Sequence, residues 1–141
     1  SSLQWDINRE LAKVNYRVQT DAIKQNLLEG VPPSKYGITY ANEADLINAI
    51  VFGKTAKQWE QENPGLQGNQ RDYGTIVDNA IVATLEAHNG VMIAQGMPVK
   101  MRANTLEAMA KAMRPSLEKS PAAKRLQSEA TKALPKPKDK S

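Results

Sequence analysis

Apolar residues at Leu3, Ile7, Leu11, Val14 and Val18, continuing through Ala22 and Ile23 to Leu27, recur every three or four positions. That spacing lines one face of a helix, so the chain opens with a long one. Ser2 is placed to cap it, and Gly30 with Pro32 and Pro33 ends it by removing backbone donors and restricting the residues before them. The segment Val31 to Tyr40 reads as an ordered loop, held down by Tyr36, Ile38 and Tyr40. Asn42 then reads as an N-cap, with Glu43 and Asp45 in the first turn, where the helix dipole favours negative charge. Leu46, Ile47, Ile50 and Val51 form the apolar face of this second helix, which stops at Gly53. Thr55 caps a short third helix whose Ala56 and Trp59 face inward, and Asn63-Pro64-Gly65 ends it.

After a polar connection from Gly65 to Gly74, the apolar positions broaden. Ile76, Val77, Ala80, Ile81, Thr84, Leu85, His88, Val91 and Met92 cover a wide arc, which predicts a central helix over Thr75–Gln95 contacted on more than one side. Gly96 to Pro98 break the chain again, and Leu106, Met109, Met113 and Leu117 line a further helix that Pro115 is expected to kink or end. Between Ser120 and Leu134 the amphipathicity is weak, and the closing LPKPKDKS is expected to be disordered. The expectation is an all-α, single-domain bundle of about five helices around the central one, with a core over residues 1–113 and a basic, partly disordered tail over 114–141.

Composition sharpens this reading. Aromatic residues make up 5% of the 141 positions, so the core must be filled by aliphatic side chains and methionine, as packed helices allow. The net charge of +4 sits in the tail: residues 1–113 carry 11 Lys and Arg against 12 Asp and Glu, whereas residues 114–141 carry 8 against 3. A nearly neutral folded unit offers no broad footprint for phosphate, which leaves at most weak, non-specific nucleic-acid contact through the tail. With no cysteine there are no disulfides or thiolate sites, as suits a reducing cytoplasm. No apolar run reaches membrane-spanning length, so a cytoplasmic, membrane-free protein is expected.

Catalytic chemistry has no foothold in the pattern. His88 is the only histidine and lies among apolar positions, where a packed core histidine is the expected role. No second histidine completes a metal site, and no serine stands in a glycine-flanked elbow, so neither a metal nor a cofactor is expected. Glu43, Asp45, Glu60 and Glu62 fit first turns and exposed faces better than an acid–base cluster. A polar knot remains: Asn15, Tyr16, Arg17, Thr20 and Asp21 early in the chain, and Asn69, Arg71 and Asp72 before the central helix. Its ligand or interaction candidates are Asn15, Arg17, Asp21, Asn69, Arg71 and Asp72. One role for these groups is structural, with Arg17 or Arg71 pinning the loop to the first helix through Asp21 or Asp72; the other is an anion site. The stripe Leu106, Met109, Met113 and Leu117 is the candidate seam for an oligomer.

Two runs, LQWDINRELAKVNYRVQTDAIKQNLL at Leu3 to Leu28 and YANEADLINAIVFGKTAKQWEQENPGLQGNQRDY at Tyr40 to Tyr73, carry a family resemblance. In their order of NYR, TDAIK and a GN-x-RDY segment they resemble the region that follows the KilA-N domain in bacterial and phage KilA-N-domain proteins. The resemblance covers about the first three quarters of the chain and does not include the DNA-binding KilA-N domain itself. It implies an accessory domain that oligomerises or binds a partner protein, with DNA recognition residing in the absent domain of a phage- or mobile-element-linked regulator. The rival reading is a small enzyme or toxin-like domain whose Arg/Asp/Asn site binds an anionic ligand.

Overall fold

The structure is a computed structural model that describes the backbone of residues 2–132 and the side chains of Glu10 and of residues 13–132. It is all-α. Six helices are present among the described residues: α1 (Ser2–Asn26), α2 (Tyr36–Phe52), α3 (Ala56–Glu62), α4 (Ile76–Ala94), α5 (Val99–Glu118) and α6 (Pro121–Thr131). LPKPKDKS lies outside the described residues, as does the side chain of the expected cap Ser2.

Helix ends follow local chemistry. Thr55 accepts from the Gln58 amide while the Gln58 side chain returns the bond, and Thr75 and Asp78 repeat this reciprocal capping at the start of α4. Gly53 closes α2 at φ +78°, a conformation glycine adopts without steric cost. The helix α2 starts at Tyr36, not at Asn42, because Pro33 to Lys35 form a 3-10 turn that leads straight into it. That moves Glu43 from an expected first turn to the buried interior of α2, while Tyr36 and Ile38 stay exposed instead of packing down. Pro115 does not end α5, which continues to Glu118. The domain boundary expected after Met113 therefore falls inside a helix, and the fold extends to α6, where Ala123 is buried. Gln127 Oε1 accepts from the Ile76 amide at 2.7 Å, satisfying an otherwise unpaired donor at the α4 N-terminus.

The helix α4 touches α1, α2, α5 and α6. Contacts of α2 run from Glu43 beside Asn89 to Val51, which shares Arg114 with Asp78, so α2 is antiparallel to α4. The pairs Arg102–Asn89 and Arg114–Asp78 make α5 antiparallel too. Gln19 meets Asn89, and Ala22 and Ile23 pack with Ile93, so α1 runs parallel to α4. The main core gathers Ile47, Val51, Ile81, Val82, Leu85, Met92, Leu106 and Ala110, with Met109, Met113 and Leu117 packed against it. The stripe expected as an oligomer seam is thus the inner wall of the chain's own core, and Leu106 is fully buried.

Where α1 crosses α4, glycine is required for space. A Cβ at Gly90 would stand 3.1 Å from the Val18 carbonyl oxygen and 3.2 Å from Gln19 Cα, both backbone atoms that move only with their helix. Gly37, inside α2, has nothing within 4 Å of its Cβ position. The two sites should respond oppositely to alanine. Gly37→Ala should stabilise the fold by up to about 1 kcal/mol through helix propensity, whereas Gly90→Ala should destabilise it by about 1–3 kcal/mol despite the same gain. Urea denaturation of both variants checks this, and a stabilised Gly90→Ala would mean that α1 does not approach α4 so closely.

Candidate functional site

The polar knot read from the sequence does not assemble as one site. Arg17 Nε lies 3.7 Å from Asp21 Oδ2 one turn along α1, with both side chains mostly exposed. Arg71 turns instead to α4 and α2: its guanidinium is 3.2 Å from Glu86 Oε1 and donates to Asn48 Oδ1 at 3.0 Å. Asp72 accepts from the Asn69 amide at 2.9 Å, and Asn69 Oδ1 accepts from the Arg71 and Asp72 amides, so both residues shape their own turn. The loop is therefore bridged to α4 and α2, and the expected bridge to α1 through Asp21 is not formed. Asn15 is half-buried on α1. Around the loop, the Trp59 and Tyr73 rings pack at a tilt of 34° with centroids 5.4 Å apart, and the Tyr73 hydroxyl donates to the Gln67 carbonyl at 2.7 Å.

His88 is exposed, as are Thr84 and Val91, because the buried arc of α4 runs through Ile81, Leu85, Glu86, Asn89, Gly90 and Ile93 and leaves that face uncovered. The expected core histidine is thus a surface residue.

Charge is buried at positions that the sequence reading placed on the surface or left unassigned. Asn89, fully buried at the middle of the bundle, donates through Nδ2 to Gln19 Oε1 of α1 at 3.0 Å and to Glu43 Oε1 of α2 at 2.9 Å. Its Oδ1 accepts from Arg102 Nη1 of α5 at 3.0 Å. Arg102 closes the ring on Glu43, through Nη1 to Oε1 and through Nη2 to Oε2 at 3.4 Å, and its Nε donates to the Met97 carbonyl at 2.9 Å. Four side chains from four helices thus satisfy one another away from water. A second link joins Arg114 of α5 to Asp78 of α4 at 2.9 Å and to the Val51 carbonyl of α2 at 3.2 Å. No sequence spacing relates these partners, which lie up to 70 residues apart. The available signal was the presence of polar residues at helix positions whose neighbours are apolar.

Glu86 is less well served. Its Oε2 is buried with no hydrogen-bond partner, as is Gln70 Oε1. Burial raises the Glu86 carboxyl above its ordinary value, and the Arg71 charge opposes that rise without cancelling it. Among the described residues no group of three or more His, Asp or Glu side chains is arranged to hold a metal ion, and no helix is long and apolar enough to cross a membrane. Comparison of the chain with protein-family models, curated proteins and solved structures finds no match.

The two charged centres should behave differently. Arg102→Met leaves the Glu43 carboxylate buried against a neutral amide alone, and should cost about 3–5 kcal/mol in urea denaturation. A loss below about 1 kcal/mol would show that the Glu43 carboxylate reaches water in the variant. For Glu86 the folded state holds the proton more tightly than the unfolded chain, so its contribution is full below the unfolded pKa and is lost as pH rises through the folded one. On lowering the pH from neutrality to about 4.5, the wild-type midpoint should therefore rise relative to that of Glu86→Gln. A relative fall would mean that Arg71 outweighs burial.

Proposed function

We propose that this chain is a helical accessory module of a KilA-N-type regulator, acting in the cytoplasm by self-association or by binding a partner protein. The DNA-reading step belongs to a domain outside this chain. The family likeness of NYR, TDAIK and GN-x-RDY supplies the context. The observation that carries the reading is the division of labour among the side chains. The arginines best suited to hold a ligand are engaged within the fold: Arg71, Arg102 and Arg114 each face a carboxylate on another helix. An anion site built from Arg17, Asp21, Asn69, Arg71 and Asp72 would need these groups to converge, and Arg17 and Arg71 are instead engaged with separate partners.

Apolar surface is exposed on α1, by contrast. Val14, Tyr16 and Val18 are 60%, 48% and 42% exposed within five residues. Val91 of α4 is half exposed beside Gly90, the residue that the Val18 carbonyl approaches. Surface of this kind suits association better than catalysis. It also stands where the stripe on α5, spent within the core, cannot. A second module joined to a DNA-reading domain raises affinity by making the second binding event intramolecular.

Light scattering over a range of micromolar concentrations tests the self-association arm. The chain should show a mass above 15.5 kDa that grows with concentration. Val18→Lys should return it to that mass without lowering its urea midpoint by more than about 0.5 kcal/mol, as expected for a surface position. A constant monomer mass would remove self-association and leave partner binding. A wild-type chain that binds random duplex DNA with little loss between low and high salt would overturn the accessory-module reading itself.

A further inference from the structure

Asn89 and Gly90 form the chain's only Asn-Gly pair, although ten asparagines are present. The pair usually marks a tight turn, and here it sits inside α4. Both residues are fixed by packing. Asparagine supplies the donor and acceptor that join Gln19, Glu43 and Arg102, and glycine lets the Val18 backbone approach. The sequence is also the one in which an asparagine side chain is most open to attack by its own backbone, since the following residue has no Cβ to obstruct the approach.

We infer that Asn89-Gly90 is a self-modification site of the unfolded chain, protected only by the fold, and that its reaction turns transient unfolding into permanent loss. In the reaction the Gly90 amide nitrogen bonds to Asn89 Cγ and gives up its proton. The bond from Cγ to Nδ2 breaks, and the departing nitrogen takes up that proton and leaves as ammonia. Water then opens the cyclic imide at one carbonyl or the other, giving aspartate or isoaspartate at position 89. No oxidant or cofactor is needed.

The folded structure blocks each part of this sequence. The helix ladder engages the Gly90 amide with the carbonyl four residues earlier and holds the backbone away from the extended geometry that ring closure requires. Nδ2, the leaving nitrogen, is held by Gln19 Oε1 and Glu43 Oε1, and Oδ1 is held by Arg102. Full burial keeps out the water that would open the imide. Once the chain unfolds, all of these restraints disappear together.

The product does not fit back. Aspartate at this position replaces a donor to Glu43 with a second carboxylate, buried beside the first and sharing one arginine. Isoaspartate adds a methylene to the backbone of α4 and breaks its hydrogen-bond register at the junction of four helices. Either outcome leaves a chain that cannot rebuild its centre, so its stability in use becomes a matter of unfolding rate as well as equilibrium.

The test uses the full chain at mildly alkaline pH, incubated in parallel in buffer and in denaturing guanidinium chloride. Samples taken over days are digested after Arg71 and Lys100, and the released Asp72–Lys100 peptide is assayed for deamidation and isoaspartate; the remainder is diluted and its refolded helix content measured. Deamidation at Asn89 should be at least about tenfold faster in denaturant, where protection is lost, and the refoldable fraction should fall in step with it. In denaturant Gly90→Ala should slow deamidation at Asn89, a comparison unaffected by how well that variant folds. Equal rates of modification in the two conditions, or full refolding of chains modified at position 89, would overturn the inference.

Discussion

The helices α1, α2, α4 and α5 meet at Asn89. It offers one amide to three helices at once, α1, α2 and α5. A carboxylate and a guanidinium cannot be buried cheaply, and Glu43 and Arg102 are tolerated because they pair with each other and because Asn89 and the Met97 carbonyl satisfy what they leave open. Aliphatic packing around Ile47, Ile81, Leu85 and Leu106 supplies most of the driving force, but such residues pack acceptably in several registers. The polar ring is satisfied in one. It fixes how far α1 slides along α4, and Gly90, directly after Asn89, fixes how closely the two helices approach.

That arrangement also separates the interior from the surface. Arg71 turns inward to Glu86 and Arg114 to Asp78, while Arg17 and Asp21 stay mostly exposed. Exposed apolar residues occur on α1 and α4, at Val14, Tyr16, Val18 and Val91, and also on α2 and α5, at Tyr36, Ile38, Val99 and Met101. The helices α1 and α4 are held together both by an apolar cluster, in which Ala22 and Ile23 meet Ile93, and by the polar junction at Asn89.

Local chemistry was readable from the chain, and contacts between distant segments were not. Thr75, Thr55 and Gly53 announced helix ends because capping depends on a few adjacent residues. The apolar period of α4 correctly marked Ile81 and Leu85, yet it included His88, since a wide arc of mixed residues does not say which edge is left uncovered. The start of α2 was missed because Pro33 launches a 3-10 turn that continues into the helix, and Asn42 resembled a cap. That error hid Glu43: placed in a first turn it reads as a dipole partner, and placed in mid-helix it is a buried charge needing Arg102. Arg17 and Arg71 were linked by their company in sequence, while the actual partner of Arg71 was decided by which face of α4 turns toward the loop.

The claim that these side chains act as one unit is tested most directly by a double-mutant cycle between Gln19 and Arg102, which are connected through Asn89. Gln19→Leu, Arg102→Met and the double variant would be compared by urea denaturation. A network predicts a coupling energy of about 1 kcal/mol or more between them. Additive losses, within about 0.3–0.5 kcal/mol, would contradict it and reduce the ring to independent contacts.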